Sequence, residues 1–385
     1  MKQSAFLLFF SVVLIIYSLI NFYILRRGWL VFSGLGRLRA VFLVVMLVLA
    51  IAYPLSRFLE HSALRSLSVP LVHVGAYYLA AMVFLFFLLL GADMLRGLGR
   101  LLHVLPQGWR AWGGPAGLRV YVAILAAGLV MTLAGAWNAR HLQVRRLNLA
   151  LAKKQGRHER LRVVMASDIH IGALLPPERF HEIARLINRQ EPDVVLIVGD
   201  LFDEDVTRLN REELIGSLQA LRSRYGAYAV LGNHDYFANV GASIALMEKG
   251  GLKVLRDEGV RVNDAFYLLG RDDRQSVHMK GSRAALAQLK EALPDDDLPV
   301  VLLDHQPFGL EEAEAAGVAL QLSGHTHHGQ IWPFQWITQR IYEISWGYGQ
   351  RGKTHYYVSS GAGTWGPPVR LGNRPEIVVL DLTFQ

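Results

Sequence analysis

Cysteine is absent from all 385 residues of this chain. That excludes disulfides, thiolate metal sites and a cysteine nucleophile. Any bound ion must be held by His, carboxylate and amide groups, a donor set suited to manganese, iron or zinc. Acidic residues are scarce over the first 160 positions, which carry 3 Asp and Glu against 18 Lys and Arg; the remainder carries 29 against 22. The net charge of +8 therefore does not describe a nucleic-acid surface, because the basic excess flanks apolar runs and the rest is acidic. Internal repeats and low-complexity segments are also missing. So is a phosphate-cradling Gly-rich loop: Gly361-Ala362-Gly363 lacks a following helix pattern and reads as a tight turn.

What is present first is hydrophobic length. Ser4 to Leu25 is a nearly unbroken apolar run with no small-x-small cleavage pattern before Arg26-Arg27, so it is read as an uncleaved membrane helix. Further runs at Ala40–Phe58, Val69–Ala92 and Val120–Trp137 give about four spans, with Pro54 expected to kink or shorten the second. Their centres are almost free of ionisable groups. His73, near one end of the third, is read as a satisfied or interfacial histidine, so the spans are an anchor and not a pump. Leu95–Trp112, with arginines and tryptophans among leucines, is expected at the membrane interface. Loops holding Arg26, Arg27, Arg37 and Arg39, and Arg96, Arg100, Arg110 and Arg119, outweigh Lys2, Arg57 and Arg65 on the other side. This assigns the C-terminal part to the extracytoplasmic side of a bacterial inner membrane, although Arg140, Arg145, Arg146, Lys153 and Lys154 pull the other way.

From about residue 140 short apolar runs alternate with helical patterns, giving residues 1–139 as a membrane anchor and 140–385 as one mixed α/β domain. Strands are predicted at Leu161–Ala166, Val194–Val198, Ala227–Leu231, Val300–Leu303, Val318–Leu322, Tyr356–Ser359 and Ile377–Leu382. Helices are predicted at Phe180–Arg189, Arg211–Ser223, Ala242–Lys249 and Arg283–Leu293, and a hairpin at Val260–Gly270 turns at Asn263-Asp264.

Five of the strand-like runs end in metal-capable side chains. They lead into Asp168-Ile169-His170, Gly199-Asp200-Leu201-Phe202-Asp203, Gly232-Asn233-His234-Asp235, Asp304-His305 and Gly324-His325-Thr326-His327-His328. Extended i, i+2 spacing would let Asp168 and His170 share an ion, and His325 and His327 have the same spacing. Each cluster alone also reads as a turn, a helix cap or a satisfied buried histidine. Five together, all at strand ends where open sheets gather ligands, point to a metal centre.

This set of blocks, in this order from about residue 160 onward, resembles the calcineurin-like metallophosphoesterases. The segments Gly324–Gln330, Ser359–Gly363, Pro368-Val369-Arg370 and Pro375-Glu376-Ile377 are similar to a membrane-anchored bacterial branch that includes relatives of UDP-diacylglucosamine pyrophosphatase. The resemblance implies a four-layer αββα sandwich, preceded here by the α-helical membrane domain, with two divalent metal ions at the strand ends. Carried over by position, Asp168, His170, Asp200 and His327 would hold one ion. Asp200, Asn233, His305 and His325 would hold the other, with Asp200 bridging. His234 would face the substrate, oriented by Asp235, and Asp203 would support a ligand or cap a helix. His328 departs from the usual Gly and is read as narrowing the pocket, touching substrate or facing solvent. Arg370 is read as a phosphate contact or a surface ion pair. The implied activity is phosphoester or pyrophosphate hydrolysis by a metal-activated hydroxide, with a lipid-linked phosphate as one substrate class the anchor suggests. The competing reading is a membrane sensor or scaffold whose phosphoesterase-like domain binds metal without turnover.

Overall fold

The structure is a computed structural model that describes residues 3–60, 62–109, 111–152 and 160–384. Lys2, Arg110, Lys153 and Lys154, counted in the orientation argument, lie outside the described residues. The chain divides into two compact units, Met1–Trp137 with Gly366–Val369 and Asn138–Trp365 with Arg370–Gln385.

The first unit holds four long helices, α1 (Gln3–Val31), α2 (Gly36–Leu59), α3 (Ser68–Leu101) and α4 (Gly114–Arg140), each long and apolar enough to cross a membrane. One expectation is narrowed. Pro54 does not shorten α2, which continues to Leu59. Proline cannot donate to the carbonyl four residues back, and that carbonyl, on Ala50, instead accepts from the Tyr17 hydroxyl at 2.6 Å. Of Leu95–Trp112, α3 takes the part up to Leu101, and the Trp112 indole donates to Asp93 at 2.7 Å. Asp93 also takes an ion pair from Arg27 at 2.6 Å and a hydrogen bond from the Tyr23 hydroxyl, so the acid is satisfied within the bundle. His73 Nδ1 is bonded to the Val69 carbonyl at 2.8 Å, the satisfied histidine expected.

The second unit is built on twelve described strands: β1 (Gln143–Leu151), β2 (Arg160–Ala166), β3 (Val194–Val198), β4 (Ala227–Val230), β5 (Leu252–Val254), β6 (Glu258–Val262), β7 (Phe266–Gly270), β8 (Val300–Leu303), β9 (Leu320–Ser323), β10 (Gly347–Arg351), β11 (Thr354–Val358) and β12 (Glu376–Phe384). They form two six-stranded sheets, in the orders β1-β12-β2-β3-β4-β5 and β10-β11-β9-β8-β7-β6. β2 to β5 run parallel, as do β7, β8, β9 and β11.

Strand alternation sorts the side chains into three apolar layers. Val163, Met165, Leu196 and Val198 of one sheet meet Phe266, Leu268, Val301 and Leu303 of the other, which glues the sheets face to face. The intervening Val164, Ala166, Val195 and Ile197 point outward onto Phe180 and Ile183 of the helix Pro177–Asn188. Val300 and Leu302 face the other way, onto Leu286, Leu310 and Ala313. Helices outside two packed sheets make the expected four layers. Because both faces of the central strands are covered, those strands read as unbroken hydrophobic runs in the sequence.

β1 was not predicted. Its Arg145 and Arg146 look like the basic flank of α4, but Arg145 pairs with Glu376 at 3.0 Å and Arg146 donates to Gln190 at 2.6 Å.

Candidate metal centre

All five predicted clusters sit at the C-terminal ends of their strands, where the parallel members of the two sheets finish together. Within them the backbone is unusual. Asp168, His170, Asp200, His325 and His327 all have positive φ, between 47° and 71°. A left-handed residue that is not glycine is strained by roughly 1–3 kcal/mol, and such strain gathers where function over-determines the backbone. This corrects the extended i, i+2 picture for Asp168-x-His170 and His325-x-His327: the side chains converge through left-handed turns.

Two groups of donors result. Asp168, His170 and His327 form one, and Asp200, His305 and His325 the other, the candidate ligand atoms in each lying within 4.8 Å of one another. In the first, the Nε2 atoms of His170 and His327 are 3.0 Å apart, and His327 Nε2 is 3.6 Å from Asp168 Oδ1. Asp200 joins the groups, with Oδ2 at 3.8 Å from His170 Nε2 and 3.1 Å from His305 Nε2. Its other oxygen accepts from the His234 backbone N–H at 2.8 Å.

The loops approach so closely that glycine is required before the ligands. A Cβ on Gly232 would overlap Asp200 Oδ1, and one on Gly324 would overlap Asp168 Oδ2.

The residues fit divalent ions by two tests. Buried polar atoms are normally hydrogen-bonded, yet Asp168 Oδ2, Asn233 Oδ1 and His305 Nε2 are buried without a hydrogen-bond partner. His305 Nδ1 is bonded to the Val198 carbonyl at 2.9 Å, which orients the ring and directs Nε2 at Asp200, 3.1 Å away. Two of the histidines are shifted toward the neutral form, whereas His305, despite its burial, is raised well above the ordinary histidine range by the charge of Asp200 and the bond to it. Burial, reinforced by the charge of His305, pushes His325 down to about 3. Burial, then His170 and Arg370, holds His327 well below the ordinary histidine range. Neutral imidazoles of this kind are what a cation needs. Asp200 is held low because His305 outweighs its burial, whereas burial pushes Asp168 up. One carboxylate thus has no full compensation, which a cation would provide.

His234 requires a second correction. The carboxylate that holds its ring belongs to Asp203, 2.9 Å from Nδ1, and the same oxygen lies 3.2 Å from His170 Nδ1. Burial pushes Asp203 up, but its bonds to His170 and His234 outweigh this and hold it well below the usual carboxylate range. Burial disfavours the His234 cation, yet the bond to Asp203 and the charge of Asp200 raise its pKa. Asp235 does not orient His234. The two are consecutive in a helical turn, Asn233–Phe237, where adjacent side chains diverge. Asp235 instead accepts from the backbone N–H groups of Asp200, Phe202 and Gly232 at 2.9, 3.0 and 2.9 Å. Asp235→Ala would strand these buried donors at a cost of roughly 3 kcal/mol or more. The metal-free melting temperature should then fall by about 6–12 °C. An unchanged melting temperature by scanning calorimetry would contradict this structural role.

Sequence reasoning missed the walls around His234. Phe237 and Trp365 meet its ring edge-on at 5.7 and 5.8 Å, and both are more than half exposed. Phe237 is detectable by its i+3 helical spacing from His234; nothing near Trp365 signals its place. Two further readings change. His328 is half-buried, packs on Trp346 at 5.1 Å and bonds Ser345 at 3.3 Å, so it is not a free solvent-facing group. Arg370 is fully buried, which excludes a surface ion pair, and its donors go to protein carbonyls and an amide oxygen rather than to an open pocket. Asp304 turns away from the ligands toward Arg283 at 2.5 Å and Arg271 at 3.4 Å.

Comparison with known proteins gives the same picture. The family model for calcineurin-like phosphoesterases matches residues 161–329. An uncharacterized metallophosphoesterase of Aquifex aeolicus is 34% identical over 226 residues, 58% of this chain and 85% of that protein. An uncharacterized metallophosphoesterase of Campylobacter jejuni is 29% identical over 380 residues, 98% of each chain. A bovine transmembrane protein with a metallophosphoesterase domain is 36% identical over 237 residues, 58% of this chain, which spans only 53% of the bovine protein's length.

Proposed function

Because the chain belongs to the calcineurin-like metallophosphoesterase family, we propose that it is a membrane-anchored, dinuclear-metal phosphohydrolase. Residues 1–139 serve as the anchor and 140–385 as the catalytic domain. The observation that carries this reading is the convergence of six donors from four separate loops, with ligand atoms of Asp168, His305 and Asn233 buried without a protein hydrogen-bond partner. Asp168, His170, Asp200 and His327 would hold one divalent ion, and Asp200, Asn233, His305 and His325 the other; manganese, iron and zinc all suit this donor set. Ions bound there supply Lewis acidity toward phosphoryl oxygens and lower the pKa of a water.

The protein's own groups do the rest. Asp203 fixes the ring of His234 through Nδ1, which leaves Nε2 for a proton delivered to the departing oxygen. The same carboxylate braces His170, so one acid aligns a ligand and the proton donor together. Phe237 and Trp365 flank that donor and limit the water reaching it. No serine or cysteine nucleophile is required.

The substrate is a phosphoester or pyrophosphate, and the four spans favour one presented at a membrane, such as a lipid-linked phosphate. The Arg-rich loops assign the catalytic domain to the extracytoplasmic side of a bacterial inner membrane. The participation of Arg145 and Arg146 in the fold of β1 gives the opposing charges a structural reason to be there. The full chain in detergent, supplied with manganese, is expected to hydrolyse an aryl phosphodiester and to lose that activity on chelation. No turnover of monoester, diester or pyrophosphate with manganese, iron or zinc would leave the sensor reading in its place. Phosphate release from extracted lipids against soluble esters then ranks the substrate classes.

A further inference from the structure

Arg370 has the largest side chain among those with no solvent exposure, and burying a guanidinium is costly unless its donors are matched. Here they are matched on two sides. Nε donates to the Gly363 carbonyl at 3.1 Å, and one terminal nitrogen donates to the carbonyls of Ser360 and Gly363, each at 2.7 Å. The other terminal nitrogen donates to Asn373 Oδ1 at 3.0 Å.

Each contact continues toward a ligand. The Gly363 and Ala362 N–H groups donate to the carbonyls of Asp168 and Ser167 at 2.9 and 2.8 Å, so the 360–363 loop is fastened to the end of β2. A Cβ on Gly363 would overlap the Ile169 carbonyl, which shows how tightly the two segments lie. In the other direction, Asn373 Nδ2 donates to the carbonyls of His327 and His328 at 2.9 and 3.0 Å, bracing the left-handed backbone there. The guanidinium itself stands 3.3 Å from His327 Nδ1.

We propose that Arg370, acting with Asn373, is the positioning residue of the Asp168–His170–His327 group. It joins the ligand loop of one sheet to the ligand loop of the other and thereby sets the gap the first ion must fill. The second group has further bonds that this arginine does not touch, among them His305 Nδ1 to the Val198 carbonyl, so the loss should fall mainly on the first ion. The inference rests on the two-ion reading above.

The test titrates manganese into the full chain in detergent, following affinity by calorimetry and ion coupling by electron paramagnetic resonance. Wild type is expected to bind two ions with a spin-coupled spectrum. Arg370→Met should weaken one ion by about 10–100-fold, leave the other near wild-type affinity and convert the signal to that of an isolated ion. Arg370→Lys should fall between the two, since it keeps the charge but not the fork of donors. Two ions at wild-type affinity in Arg370→Met, or parallel loss of both, would overturn the proposal. If that variant does not fold, Asn373→Ala carries the test: selective weakening of one ion supports the proposal, and unchanged binding overturns it. A wild-type chain that binds no manganese, iron or zinc would instead bring down the underlying two-ion reading, and this inference with it.

Discussion

Asp200→Ala is expected to empty both halves of the centre at once and to abolish hydrolysis. Its carboxylate lies within reach of ligands on both sides, 3.8 Å from His170 and 3.1 Å from His305. A bound metal pair is worth several kcal/mol to the transition state, so the rate should drop by about 10³-fold or more. Asp168→Ala should behave differently. That residue belongs to one group only, so one ion should remain measurable by elemental analysis. The Asp200 change also strands the His234 backbone N–H and removes the partner of His305, so some stability is lost and ion content is compared on protein that still unfolds cooperatively. An Asp200→Ala protein that still carries two ions would show that the bridging assignment is wrong.

The second large effect is expected at His234. His234→Ala should lower kcat by about 10²–10⁴-fold, the range for a positioned proton donor, while both ions stay bound. Asp203→Asn should reproduce part of that loss, about 10–100-fold, because the amide oxygen can still accept but no longer carries the negative charge that holds both His170 and His234. A substrate whose leaving group needs no proton, such as a nitrophenyl ester, should be far less sensitive to either change. Equal sensitivity of poor and good leaving groups would remove His234 from the proton-donor role.

Much of the site could be read from the residues because parallel strands finish at one edge. Once Val194–Val198 and Val300–Leu303 are recognised as strands, the polar residues after them must share a neighbourhood. The four layers are an implication of the resemblance; the strands alone show only that they are covered on both faces, and their alternation sorts them between layers only after folding. What escaped was direction. Sequence adjacency made Asp235 the natural partner of His234, but a helical turn sends neighbouring side chains apart, and Asp203 arrives from another loop. The left-handed backbone at Asp168, His170 and Asp200 has only a weak local signature, since aspartate and histidine are enriched at such positions but are far commoner elsewhere. Arg370 reads in the sequence as a phosphate contact or a surface ion pair because arginine is seldom buried; the Ser360 and Gly363 carbonyls and the Asn373 amide oxygen make its burial tolerable. The Tyr17 hydroxyl that satisfies the carbonyl freed by Pro54 comes from another helix, and no periodicity in α2 announces it.

Anomalous diffraction at the manganese edge, from crystals of the full chain grown with the ion, tests the central claim most directly. The account predicts two peaks, one in contact with Asp168, His170, Asp200 and His327, the other with Asp200, Asn233, His305 and His325. No peak at these residues, a single one, or manganese bound elsewhere on the chain would contradict it.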